Sequence, residues 1–226
     1  MYMIAWFDIN CFNIFWEHKV SKKWILWETE EWVHRLIDKT IPYKKNKPFH
    51  IFDICTGCGY IALSLATHVS HCNILATDIS QKAITLSKEN YQENISKIQG
   101  ATTIEFKQVD VFDHNALEKM MLQGNKGFDL IVSNPPHITL DEYKHLDPDV
   151  KQWEESRALV AEEQGMAVHR RIIELASPVL LNKQKQEDNF EKTRVPRLVM
   201  EFGETHQVEP LKRMMLDKNL FEDIEF

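Results

Sequence analysis

The sequence predicts an α/β fold, doubly wound around a mostly parallel sheet, and three observations carry that expectation. From Phe49 onward, short apolar runs alternate with longer amphipathic stretches, which is the order of βαβ units. The first run leads into a glycine-containing turn, Asp53-Ile54-Cys55-Thr56-Gly57-Cys58-Gly59, which opens onto a helical stretch. Asp78 and Asp110 stand where the next two runs stop, at the sheet edge where α/β folds collect their ligands.

Taken in order, residues 1–23 read as an irregular apolar leader and residues 24–226 as one domain. Met1 to Trp16 is rich in Ile, Phe and Trp, but Asp8, Asn10 and Asn13 break it and no basic stretch begins it. It is therefore neither a cleavable signal nor a membrane span, and is expected to cover part of the domain. Glu28 to Lys39 is an amphipathic helix with Trp32, Val33 and Leu36 on one side. Strands are expected at Phe49–Ile54, Asn73–Thr77, Thr103–Val109, Phe128–Val132, Arg197–Phe202 and Phe221–Phe226. Helices are expected between them at Tyr60–His68, Gln81–Ser96, Ala116–Leu122, Gly165–Leu181 and Gln207–Asp217, with Ser80 as the N-cap of the second. Asn182 to Thr193 reads as a solvated loop.

A chain of 226 residues with 43% hydrophobic and 27% charged content is sized for one core of ordinary density. The formal net charge of -7 speaks against a protein whose main task is gripping a phosphate backbone, so direct nucleic-acid binding is not expected. Four cysteines, Cys11, Cys55, Cys58 and Cys72, read as reduced thiols. Cys55 and Cys58 with His68, His71 and Cys72 also have the residue types of a zinc site. A helix between the two groups would hold them apart, so no metal is expected.

The turn after the first strand offers Asp53, Thr56, Gly57 and Gly59 to a ligand. Asp78 is placed to take both hydroxyls of a ribose, and Asp110 or the amide of Val111 to meet an adenine amino group, with Phe112 packed nearby. A dinucleotide fits poorly because the third glycine is absent. A cationic sulfonium nucleoside, S-adenosylmethionine, fits better because its positive groups favour carboxylates such as Asp53. Directly after the fourth strand stands Asn134-Pro135-Pro136-His137. An Asn side chain carries an acceptor and a donor, prolines fix φ and bare their carbonyls, and a ring at the fourth position can stack on a flat group. That set suits methyl transfer to a planar nitrogen.

Together these residues resemble the class I S-adenosylmethionine-dependent methyltransferases, and more narrowly the PrmC/HemK family of release-factor glutamine methyltransferases, over roughly Trp24 to Phe226. Besides Asn134-Pro135-Pro136, three segments carry the resemblance: Glu28-Thr29-Glu30-Glu31 at the domain entrance, Glu154 to Ile173 after the catalytic loop, and Leu198-Val199-Met200-Glu201-Phe202-Gly203 at the fifth strand. The resemblance implies a Rossmann-like sheet, and a chain that stops short of the family's final antiparallel strand. It puts Asp53, Gly57 and Gly59 on the methionine moiety, Asp78 on the ribose and Asp110 near adenine. Asn134 and the Pro135 carbonyl would hold the acceptor amide, the glutamine of the release factor's Gly-Gly-Gln loop, and His137 would stack on it.

Three positions depart from the pattern. Cys55 replaces the first glycine of the loop, tolerable where φ is negative; Leu26 replaces an entrance Arg; and His137 replaces Tyr. Protonation of His137 is expected to weaken activity towards about pH 6 to 6.5. A non-catalytic protein that binds cofactor or a partner, and a nucleic-acid exocyclic-amine methyltransferase, stay open as alternatives. The resemblance permits a cytoplasmic or a mitochondrial enzyme, and the Lys-, Asn- and Ile-rich, glycine-poor composition leans to the mitochondrion.

Overall fold

A computed structural model describes residues 2–4, 25–40, 48–117, 127–148, 151, 156–176, 195–218 and 223–225. Its centre is a seven-stranded sheet in the order β4-β3-β2-β5-β6-β1-β7. The strands are β1 (Tyr2–Ile4), β2 (Phe49–Ile54), β3 (Cys72–Asp78), β4 (Thr103–Gln108), β5 (Leu130–Ser133), β6 (Leu198–Met200) and β7 (Asp223–Glu225). Every pairing between these strands is parallel. All the ends that carry loops towards a ligand therefore lie along one edge.

Alternation along each strand builds two cores. Phe52, Ile131 and Leu198 face one side with Phe128, Ile172, Ile173, Leu211 and Met215. Their neighbours Ile51, Leu130, Val132 and Val199 face the other with Trp32, Val33, Leu36, Ile61, Leu65 and Ile84. A sheet buried on both faces needs continuous apolar runs, which is why β5 is buried along its whole length. The helices that cover it are α1 (Ile25–Thr40), α2 (Tyr60–His68), α3 (Gln81–Asn94), α4 (Leu140–His145), α5 (Ser156–Leu159), α6 (Glu162–Gly165), α7 (Ala167–Leu175) and α8 (Thr205–Asp217).

Ser80 caps α3, its hydroxyl accepting from the Ala83 amide at 3.4 Å. Three features differ from the sequence reading. The helix expected over Gly165–Leu181 begins two residues later, at Ala167, because Glu163, Gln164 and Gly165 just before it take left-handed φ values of 56, 57 and 79°. Its C-terminal part and the loop expected at Asn182–Thr193 lie outside the described residues. Residues 114–117 begin the helix expected at Ala116–Leu122, the rest of which is likewise outside them.

The third difference is β1. The leader, read as irregular, contributes a strand that lies between β6 and β7 and is parallel to both, pairing Met3 with Leu198 and with Ile224. The backbone of β6 thus has partners on both sides.

Candidate active site

At the first end of the site, β2 runs into a turn with left-handed backbone at Cys55 (φ 60°), Gly57 (φ 56°) and Gly59 (φ 85°). A Cβ at Gly59 would stand 3.0 Å from the Ser87 Cβ, so α3 can approach only a glycine there. A Cβ at Gly57 would meet nothing within 4 Å and would project into open space. Cys55 is the exception to its own expectation: φ is positive, not negative, because the turn needs a left-handed residue at that position. A non-glycine residue there costs about 1–2 kcal/mol.

The turn is tied to β3 by Thr56 N–H to the Thr77 carbonyl (2.9 Å) and by Gly57 N–H to Asp78 Oδ2 (2.9 Å). Asp78 Oδ1 also accepts from Ser80 N–H at 2.9 Å, so this carboxylate braces the turn and the start of α3. Asp53 is fully buried. Its Oδ2 accepts from the Thr56 hydroxyl at 2.6 Å, while Oδ1 makes no hydrogen bond of ordinary geometry among the described residues, the Ala62 amide in the first turn of α2 being near enough only to favour the charged form. Burial pushes its carboxyl up to about 7, partly opposed by the Thr56 hydrogen bond. Asp110 Oδ1 accepts from Phe112 N–H at 2.8 Å, and the Phe112 ring is half exposed beside it. The Val111 carbonyl is held by Arg171 Nε at 3.0 Å.

The three acids do come together: burial first, then the charges of Asp78, Asp53 and Asp110, push the Cys55 thiol far above its ordinary range. Cys55, Cys58 and Cys72 carry no disulfide. No group of three or more metal-binding side chains occurs among the described residues.

The second end follows β5. Asn134 Nδ2 donates to Thr29 Oγ1 (2.9 Å), and Thr29 Oγ1 donates to Glu201 Oε2 (2.6 Å), which also accepts from Trp32 Nε1 (2.8 Å). Thr29, Trp32 and Glu201 are all buried. Sheet register explains why Glu201 is there: Ser133 pairs with Met200, and Glu201 N–H donates to the Ser133 carbonyl at 3.0 Å.

The four-residue loop is also held from its far side. His137 N–H and Ile138 N–H both donate to the Leu159 carbonyl (3.1 and 2.9 Å), and Ala161 N–H returns to Ile138 O (3.0 Å). Gln207, fully buried at the start of α8, uses its whole amide. Nε2 donates to the carbonyls of His137 (2.9 Å) and Gln164 (3.2 Å), and Oε1 accepts from the amides of Gly203 (2.9 Å) and Glu204 (3.3 Å). Gly165 fits against the same loop, since a Cβ there would lie 2.1 Å from the His137 carbonyl oxygen.

His137 donates Nδ1–H to Pro135 O at 3.0 Å, leaving that carbonyl one further lone pair, and its ring lies against Gly203, where a Cβ would stand 2.4 Å from Cδ2. Burial lowers the His137 pKa. Its proton therefore enters at a lower pH than the ordinary histidine value on which the sequence expectation rested. His169, also fully buried, is pushed down to about 4 by burial and donates Nε2–H to Glu201 O at 2.7 Å.

The residues singled out from the sequence lie at the ends of β2 to β5, and the sequence reading missed those that hold them. Thr29, Glu201 and Gly203 sat inside quoted segments without a role. Gln207 had one available signal: three residues after Glu204, it completes a capping box. His169 had none.

Comparison with known proteins adds to this geometry. The model of the methyltransferase small domain family matches residues 35–148. A Schizosaccharomyces pombe protein named as a probable MRF1 mitochondrial N(5)-glutamine methyltransferase, mtq1, is 32% identical over 203 residues, 88% of this chain. A Lactococcus lactis release factor glutamine methyltransferase is 33% identical over 177 residues, 77% of this chain. The chain spans 62% and 57% of those two relatives' lengths. Among solved structures, the catalytic domain of hMettl16 in complex with a MAT2A 3'UTR hairpin is similar in fold, with a TM-score of 0.51 and 20% identity over 84% of this chain and 60% of that one.

Proposed function

The chain belongs to the methyltransferase small domain family, and from that premise we propose that it transfers a methyl group from S-adenosylmethionine to the side-chain amide nitrogen of the glutamine in the Gly-Gly-Gln loop of a peptide-chain release factor. The names of the Schizosaccharomyces pombe and Lactococcus lactis relatives support that substrate, and the former supports the mitochondrion as the compartment.

The residues of the first end fit S-adenosylmethionine. Asp53 Oδ1 is a buried acceptor with no hydrogen bond of ordinary geometry, and a Cβ at Gly57 in the same turn would meet nothing within 4 Å. Asp53, Thr56, Gly57 and Gly59 would hold the methionine part, Asp78 the ribose, and Asp110 with the Val111 amide the adenine. When bound, S-adenosylmethionine supplies an electrophilic methyl group on a sulfonium.

The observation that carries the acceptor assignment is the orientation of Asn134. Its NH2 is turned inward to Thr29, so Oδ1 accepts no hydrogen bond among the described residues. Asn134 Oδ1 and the remaining lone pair of Pro135 O then form a pair of acceptors for an NH2 group. A carboxamide nitrogen is a weak nucleophile, and what these residues contribute is alignment and dispersal of the positive charge that grows on nitrogen as its bond to carbon forms. Pro136 stiffens the loop, and His137 keeps Pro135 O in place. The amide proton released passes to solvent.

Calorimetry with S-adenosylmethionine, followed by mass spectrometry of a release factor incubated with both, tests the reading. One methyl group on the Gly-Gly-Gln glutamine is the expected result. Cofactor binding without transfer, or transfer to RNA or DNA and not to the release factor, overturns it.

A further inference from the structure

We propose that Thr29 is the positioning residue that decides which end of the Asn134 amide faces the methyl acceptor, and that Trp32 and Glu201 fix the direction in which Thr29 works. This rests on the functional reading above for the identity of the acceptor, but the argument for the direction is geometric.

The chain of hydrogen bonds has one polarity. Trp32 Nε1 can only donate, so the oxygen it reaches at 2.8 Å, Glu201 Oε2, is an acceptor in this structure. Thr29 Oγ1 lies 2.6 Å from that same oxygen and so spends its single hydrogen on it. What Thr29 presents to Asn134 is then a lone pair, at 2.9 Å. Only the NH2 end of Asn134 can answer it. Were the amide flipped, its Oδ1 would meet the Thr29 lone pair with no hydrogen between them, in a place where Thr29 is 4% exposed and water has little access.

Three segments distant in sequence are thereby joined for one purpose. Thr29 and Trp32 come from α1, Glu201 from the end of β6, and Asn134 from the end of β5. Glu201 is itself anchored by its backbone, its N–H on the Ser133 carbonyl and its carbonyl on His169 Nε2 (3.0 and 2.7 Å). With Asn134 Oδ1 outward, the site selects an acceptor that donates hydrogen bonds through NH2, as a carboxamide does.

The test compares Thr29→Val, which keeps the shape and removes the hydroxyl, with Thr29→Ser, which keeps the hydroxyl. The first readout is hydrogen exchange of the Asn134 side-chain NH2, followed by 15N NMR on the full chain and needing no substrate. In wild type one of its two protons is expected to exchange slowly, and in Thr29→Val both exchange fast. The second readout is methyl transfer to a release factor. Thr29→Val is expected to lower kcat roughly 100-fold while leaving KM for S-adenosylmethionine within about 2-fold, and Thr29→Ser to recover most of the loss. Unchanged exchange and kcat in Thr29→Val overturn the proposal. So does an equal loss in both variants together with weakened cofactor binding, which would make Thr29 a packing residue. If wild type shows the slow proton but methylates no release factor, the acceptor assignment falls and the role of Thr29 stands.

Discussion

The two ends of the site are finished to different degrees. Around the acceptor loop, the groups that fix the loop's shape are held by the protein from several segments: Gln207 makes four hydrogen bonds, Asn134 donates to Thr29 and leaves its Oδ1 open, and His137 donates to Pro135. The glycine turn is braced mainly by Asp78 and is open beyond it. Asp53 Oδ1 is buried with no hydrogen bond of ordinary geometry, Gly57 borders open space and the Phe112 ring is half exposed. One end is built to hold a shape, and the other is built to be completed. A methyl acceptor that is a poor nucleophile needs fixed acceptors before it arrives, whereas a tightly held cationic cofactor can supply the missing contacts of its own pocket.

The sharpest way to break this contrast is a pair of glycine substitutions. Gly165→Ala drives a Cβ to within 2.1 Å of the His137 carbonyl oxygen, a backbone atom that has little freedom to move. We expect a loss of about 4 kcal/mol in chemical denaturation and of methyl transfer with it. Gly57→Ala has space and pays only for its left-handed φ, about 1 kcal/mol, with weakened cofactor binding as its main effect. Equal damage from both would erase the distinction. Next in size is Gln207→Leu, which leaves backbone groups at His137, Gln164, Gly203 and Glu204 unpaired; thermal denaturation should report a destabilisation of about 3 kcal/mol.

Asp53→Asn sharpens the other end and should act in the opposite sense. The folded-state pKa of Asp53, about 7, lies above its ordinary 3.8, so wild type bears no cost below about pH 4 and loses stability as pH rises through 7. The shift corresponds to at most about 4 kcal/mol, and the new amide NH2 would itself lack a partner. In urea titrations we therefore expect cofactor-free Asp53→Asn to be more stable than wild type by on the order of 2 kcal/mol at pH 8 and not at pH 4, with weaker S-adenosylmethionine binding. Smallest is Cys55→Gly, which should stabilise by about 1 kcal/mol because φ there is 60°.

The same contrast governs what could be read from the sequence. Strands, the glycine turn and the acids at strand ends were legible because they follow local rules: period-two apolar runs, turn glycines, and acids where apolar runs stop. The seven glycines are few enough that each stands out, and Gly57 and Gly59 mark their turn plainly. What could not be read depends on contacts between distant segments. Nothing near Gln207 says that it will meet His137, 70 positions away, and nothing near Thr29 points to Glu201, 172 positions on. The left-handed turn at Glu163–Gly165, just before the expected helix, went unread because two of its three residues are not glycine. The strand at Tyr2–Ile4 was missed because three residues carry no periodicity.

Hydrogen exchange at the two ends, measured on the free protein and again with saturating S-adenosylmethionine, tests the central claim most directly. The amides of His137 and Ile138 should be protected in the free protein and change little, while those of the turn around Gly57 should gain protection on binding. An acceptor loop that exchanges freely until the cofactor arrives would contradict the account.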